Sequence, residues 1–161
     1  MALSKLQNLY RQVILDHSSH PRNFGELEHA NGTLELNNPT CGDVIKLHVY
    51  IQDGIIEQAK FSGHGCSIST ASASMMTEVI IGKTIEEAKK RIEEFLLLVQ
   101  AKIDPDETDL NDAVILEGVS KFPARIKCAT LAWKVLERII LTKETTTNEN
   151  NKTKKEENNH E

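Results

Sequence analysis

The uninterrupted apolar runs of this chain, such as Phe95-Leu96-Leu97-Leu98-Val99, fall far short of the roughly 20 residues that a membrane span needs. The opening Met-Ala-Leu-Ser-Lys-Leu does not read as a secretory signal. The expected compartment is therefore the cytoplasm. Positive charge is not in excess either. With 24 acidic against 19 basic residues and a net charge of -5, neither a nucleic-acid groove nor an anionic membrane surface is expected as the main partner. No Gly-rich phosphate loop, Gly-x-Ser-x-Gly elbow or His-Glu-x-x-His helix occurs, so nucleotide-binding and hydrolase readings have no support. Cysteine is scarce and odd in number, at three. In a reducing compartment that argues against a disulfide framework and for a metal site or a reactive thiol.

At 161 residues the chain is the right size for one domain around a single core. Leu3, Leu6, Leu9, Tyr10, Val13 and Ile14 recur at helical spacing, which predicts an amphipathic helix that His20-Pro21-Arg22-Asn23 stops. Thr33 to Leu36, Asp43 to Gln52 and Ile55 to Ser62 alternate and are rich in Val and Ile, as strands should be. The last two meet at Gln52-Asp53-Gly54. For that hairpin we expect a three-residue loop that pairs Ile51 with Ile55 and Ile45 with Phe61, rather than a two-residue turn that pairs Ile51 with Ile56.

Ser67 to Ile81 is full of small residues and ends at Gly82, a left-handed stop, so this helix can pack close to the sheet. Thr84-Ile85-Glu86-Glu87 is a capping box for a helix to about Ala101. A short helix from about Leu110 to Glu117 follows. Pro123 fits the first turn of a last helix ending near Leu141. Beyond it no bulky apolar residue occurs. The expected organisation is a domain over 1–142 and an unordered polar tail over 143–161.

The three cysteines sit in Pro39-Thr40-Cys41-Gly42-Asp43, Gly63-His64-Gly65-Cys66-Ser67 and Arg125-Ile126-Lys127-Cys128-Ala129, settings unlike those of packing thiols. Zinc takes four ligands in a tetrahedron, with sulfur at about 2.3 Å. Three cysteines leave one position open. Asp43 is the first choice for it, because Gly42 lets residues two apart converge on one ion. His64 is the alternative. Cys66 precedes a helix, where unpaired amides and the positive helix end favour a thiolate. Three thiolates and a carboxylate around a dication leave a doubly negative site, which calls for cations nearby. Arg125 and Lys127 are the candidates. His17 and His20, at the exit of the first helix, read as surface or partner-facing residues.

Asn37-Asn38-Pro39-Thr40-Cys41-Gly42-Asp43, Gly65-Cys66-Ser67-Ile68-Ser69-Thr70-Ala71-Ser72 and Phe122-Pro123-Ala124-Arg125-Ile126-Lys127-Cys128 resemble the three signatures of the U-type iron-sulfur cluster assembly proteins, the IscU/NifU N-terminal superfamily. The match covers about residues 3 to 141. Within that superfamily the chain is more similar to the SufU branch than to the IscU scaffolds. Lys127 stands where IscU proteins have histidine, and the insert between Gln100 and Phe122 is mostly absent from them.

This resemblance implies an α+β fold, a small antiparallel three-stranded sheet with helices on one face, and zinc held by Cys41, Asp43, Cys66 and Cys128. It also implies sulfur transfer: a pyridoxal-phosphate cysteine desulfurase of the SufS type makes a persulfide, and Cys41 accepts that sulfur. A zinc-bound thiolate is a weakened nucleophile, so Cys41 is expected to leave the metal when the partner docks, a partner histidine replacing it. The alternative implied role is a scaffold on which a transient iron-sulfur cluster is built and passed to apoproteins or to other cluster-assembly proteins.

Overall fold

The structure is a computed structural model that describes the backbone of residues 2–158 and the side chains of residues 8–144. Alternating apolar residues build three antiparallel strands, β1 (Gly32–Asn38), β2 (Asp43–Gln52) and β3 (Ile55–His64), in spatial order β1-β2-β3. Ile45, Leu47 and Val49 of β2 and Ile56, Ala59 and Phe61 of β3 are all buried on one face.

The hairpin turn differs from the expected three-residue loop. Gln52 pairs with Ile55 and Ile51 with Ile56, so the loop is the two-residue Asp53-Gly54, with φ of 54° and 76°. Two positive φ values are those of a type I′ turn, whose twist matches that of the strands. The ladder then shifts between Tyr50 and Ile51, where Tyr50 pairs with Gln58 and Glu57 is left over as a bulge, and Leu47 comes opposite Phe61. Without the bulge Leu47 would face Lys60 and the core face would break. Ile56 therefore belongs to the core at 0% exposure, whereas Ile55, expected there, is 38% exposed.

Among the described residues five helical segments complete the domain beside a 3-10 turn at Pro105–Glu107. They are α1 (Ala2–Ser19), α2 (Ser67–Ile80), α3 (Ile85–Leu98), a 3-10 helix over Asn111–Lys121, and α4 (Pro123–Asn158). Thr84 caps α3 by accepting the Glu87 N–H at 3.1 Å. The segment expected as an α-helix over Leu110–Glu117 is the 3-10 helix. No Gly or Pro follows Pro123 before Asn158, so α4 does not end near Leu141 but continues to Asn158. Within that helix Glu144 pairs with Lys89 of α3. The expectation of an unordered polar tail falls largely on side chains beyond 144 and on residues 159–161, outside the described residues. Among the described residues no helix is long and apolar enough to cross a membrane.

The helices lie on one face of the sheet, α2 against β3 and α4 against β1 and β2, with α1 outside α2. His17 holds α1 in place. It is 1% exposed rather than on the surface as expected. Its Nδ1 lies 2.8 Å from Ser74 Oγ of α2 and its Nε2 3.0 Å from Asp112 Oδ2 of the 3-10 helix. The apolar side of α1 carries the ring inward, and two polar partners on neighbouring elements satisfy both nitrogens. His20 is 82% exposed in its side chain.

Small residues let α2 and α4 approach closely. Ser72 Oγ donates to the Ala129 carbonyl at 2.5 Å and accepts the Trp133 Nε1–H at 3.0 Å, while Trp133 stacks on Phe95 at 4.2 Å. Ser72→Ala leaves a buried indole N–H and a buried carbonyl without this partner. The expected loss is about 1–3 kcal/mol, read by calorimetry as a fall in Tm of roughly 3–10 °C. An unchanged Tm would show that the hydroxyl does not tie the two helices.

Candidate metal centre

One end of the sheet gathers residues from three places in the chain. β1 ends at Asn38 and β2 begins at Asp43, and these two are cross-strand partners. Between them the Asn38 carbonyl accepts the N–H of Cys41 at 3.2 Å and of Gly42 at 2.8 Å. Gly42 has φ of 72°, a conformation that costs a residue with a Cβ about 1 kcal/mol or more. The turn closes through this glycine and leaves Cys41 exposed beside it.

Asp43 is fully buried. Its Oδ1 accepts the backbone N–H of Cys66 at 2.8 Å, which joins the start of β2 to the start of α2. Gly65 makes this possible by close approach: a Cβ there would stand 2.5 Å from Asp43 Oδ1 and would also strike Ser69 Oγ. Cys66 occupies the position that caps α2, but its side chain makes no capping bond. Ser69 Oγ donates to the Cys66 carbonyl at 3.0 Å instead. The Cys66 sulfur stays half-buried, 3.8 Å from Ser69 Oγ.

Cys128 comes from the second turn of α4 and is fully buried. Its Sγ lies 3.3 Å from Cys41 Sγ and 3.7 Å from the Ala124 carbonyl, and all three thiols are free. One ligand atom each from Cys41, Asp43 and Cys128 lies within 4.8 Å of the others. Cys66, the fourth expected ligand, falls outside that tight set. It still adjoins it, because its backbone binds Asp43 and its thiol interacts with Cys128. Burial pushes the Cys128 thiol well above its ordinary range, and the nearby Cys41, Asp43 and Cys66 side chains add to the shift.

These residues fit a cation. Asp43 Oδ2 is buried and has no hydrogen-bond partner, and such an oxygen costs about 1–3 kcal/mol or more if left alone. Beside it stand two sulfurs, with a third at the rim. A sulfur-rich set with one carboxylate oxygen suits zinc better than a hard cation such as magnesium or calcium.

The remaining expected residues lie outside the cluster. Arg125 and Lys127 are exposed on the first two turns of α4, and among the described residues no ion pair joins them to the four. His64 is exposed at the end of β3 and is not in the cluster. Two contributors were missed from sequence: Asn38, which anchors the Cys41 turn, and Ser69, which fixes the Cys66 carbonyl. An Asn followed by Pro was the readable signal for the first.

Residues 9–129 match the model of the NifU-like N-terminal domain. The chain is 52% identical over 141 residues to the zinc-dependent sulfurtransferase SufU of Bacillus subtilis, covering 88% of this chain and 95% of that one. It is 50% identical over 140 residues to the iron-sulfur cluster assembly scaffold protein IscU of Streptococcus pyogenes, with 87% of each covered. Among solved structures it resembles a putative iron-sulfur cluster assembly scaffold protein for the SUF system from Fervidobacterium islandicum. There the TM-score is 0.73 and the identity 35%, over 80% of this chain and 93% of that one. The expected three-stranded sheet with its helices agrees with these likenesses, and the chain belongs to the family of NifU-like N-terminal domains.

Proposed function

We propose that the protein is a zinc-dependent sulfurtransferase of iron-sulfur cluster assembly. It accepts persulfide sulfur from a pyridoxal-phosphate cysteine desulfurase in the cytoplasm, with no nucleic acid or membrane in the reaction. One observation carries this reading. Of two thiols 3.3 Å apart, Cys41 is exposed on a turn and Cys128 is wholly buried on a helix. A partner's sulfur can reach the first and not the second. The 52% identity to a protein named as a zinc-dependent sulfurtransferase supports it.

Cys41, Asp43, Cys66 and Cys128 would hold the zinc. Bound zinc would keep its cysteine ligands as thiolates, a form that burial denies Cys128 on its own. Cys41 is the nucleophile: its position on a turn closed by Gly42 gives the sulfur room to meet the donor. Asp43, Cys66 and Cys128 are tied to β2, α2 and α4 and keep their places. Arg125 and Lys127 face solvent beside Cys128, where they lower the cost of a net negative centre and are free to meet a partner's carboxylates.

The same donor set also suits a scaffold for a transient iron-sulfur cluster, and the 50% identical relative is named as one. Anaerobic purification separates the two: a colourless protein with one equivalent of zinc supports transfer, whereas a brown protein with labile sulfide supports the scaffold.

Two variants test the assignment. Cys41→Ala is expected to keep most of its zinc by elemental analysis yet to lose all stimulation of desulfurase turnover. Stimulation at the wild-type level would remove Cys41 from the acceptor role. Asp43→Ala deletes a ligand and also frees the Cys66 amide, so zinc affinity is expected to fall by at least roughly 100-fold in a chelator competition. Unchanged affinity would exclude Asp43 as a ligand.

A further inference from the structure

Three buried side-chain polar atoms lack a hydrogen-bond partner among the described residues: Asp43 Oδ2, Asn38 Nδ2 and His48 Nε2. Two of them stand on cross-strand partners at the ends of β1 and β2, at either side of the Cys41 turn. They are of opposite kind. The Asp43 oxygen is an acceptor, which a cation would satisfy. The Asn38 amide nitrogen is a donor only, and no metal ion can satisfy it.

The orientation of the Asn38 amide is set by its other end. Its Oδ1 accepts the Thr40 N–H at 3.3 Å, so the NH₂ group is the atom left over. Its main-chain carbonyl is already engaged by Cys41 and Gly42. Asn38 is only 7% exposed, and a buried donor left unpaired costs about 1–3 kcal/mol. A native structure keeps such an atom where a group arrives during function. The chemical class of that group follows from the donor: an anion or a strong acceptor, next to the turn that carries Cys41.

We propose that Asn38 is a positioning residue for the transferred sulfur, its Nδ2–H₂ donating to the terminal sulfur of the persulfide formed on Cys41. This rests on the sulfur-transfer reading. In the transfer, Cys41 Sγ attacks the terminal sulfur of the donor cysteine persulfide. The new S–S bond forms on Cys41 as the donor's S–S bond breaks, and the donor cysteine leaves as its thiolate. Sulfane sulfur moves from one cysteine to the other with no external oxidant or reductant. The terminal sulfur then stands about 2.0 Å beyond Cys41 Sγ. The amide has no partner before transfer and gains one after it, so it favours the loaded state over the empty one. A hydrogen bond to a charged sulfur is stronger than one to a neutral group.

Asn38→Asp tests this with little change of shape: Oδ1 still accepts the Thr40 N–H while the donor is gone. Full-length, zinc-loaded wild type and variant are each given one turnover with a cysteine desulfurase and cysteine, freed of the desulfurase, and followed by alkylation and intact mass for one added sulfur atom on Cys41. The expected result is a persulfide that decays about tenfold faster, with zinc content and the desulfurase concentration for half-maximal effect unchanged. Asn38→Ala introduces no buried charge but also loses the Thr40 contact, so it supports the proposal only where the persulfide lifetime shortens while zinc content holds.

A wild-type lifetime in both variants overturns the proposal. So does a loss of zinc in proportion to the loss of persulfide, which would make Asn38 a purely structural residue of the turn. A wild type that never acquires a persulfide, in a desulfurase reaction that turns over, overturns the transfer reading itself and this proposal with it.

Discussion

The bond from the Cys66 amide to the Asp43 carboxylate at 2.8 Å is the contact on which the rest of the centre depends. Asp43 opens the central strand β2 and Cys66 precedes α2, so a single hydrogen bond fixes this end of the sheet against the helix that follows β3. The carboxylate is fully buried, which strengthens the bond and raises the penalty of breaking it. One oxygen of the group serves the fold, and the other is buried with no hydrogen-bond partner among the described residues. Gly65 is what allows both, since any side chain there would occupy the space of Asp43 Oδ1.

The third segment is brought in by packing rather than by polar contacts. Ser72, Ala73 and Ala71 on α2 and Ala129 and Ala132 on α4 are all buried, and small side chains let the two helices close on each other. Trp133 then fills the space one turn along, stacked on Phe95. Cys128 sits beside Ala129, so the depth of the thiol in the core is set by how closely α4 meets α2. A bulkier residue at Ser72 would move the sulfur and the fold together.

Much of this was readable in the sequence, because short-range chemistry dictated it. The Thr84 cap, the stop at Gly82 and the start of α4 at Pro123 each follow from local backbone needs, and all three occur. The convergence of Cys41, Asp43 and Cys128 was foreshadowed because cysteines beside glycines and a charged helix start are poorly explained by packing, whereas Cys66, expected with them, lies outside that set. What failed was long-range. The Glu57 bulge could not be seen, since the alternation of β3 is intact on either side of it and only the pairing partner reveals the shift. His17 looked solvent-facing because its partners, Ser74 and Asp112, lie 57 and 95 residues away. The length of α4 beyond Leu141 was missed because a polar sequence without Gly or Pro has no local signal that would end a helix.

The three cysteines form a graded series, from exposed Cys41 through half-buried Cys66 to fully buried Cys128, and the elements that carry them form the same series: a turn, a helix start and a helix body. Burial resists a free thiolate, so the thiol that must react with another protein has to be the exposed one, and the thiols that must not be lost have to be held by elements that do not move. A site with all three on helices would keep a metal well and react with nothing. A site with all three on turns would react readily and release the ion as each turn fluctuated. The proposed roles of acceptor for Cys41 and anchor for Cys128 rest on this difference in access and in the elements that carry them, and they do not depend on whether the fourth ligand is Asp43.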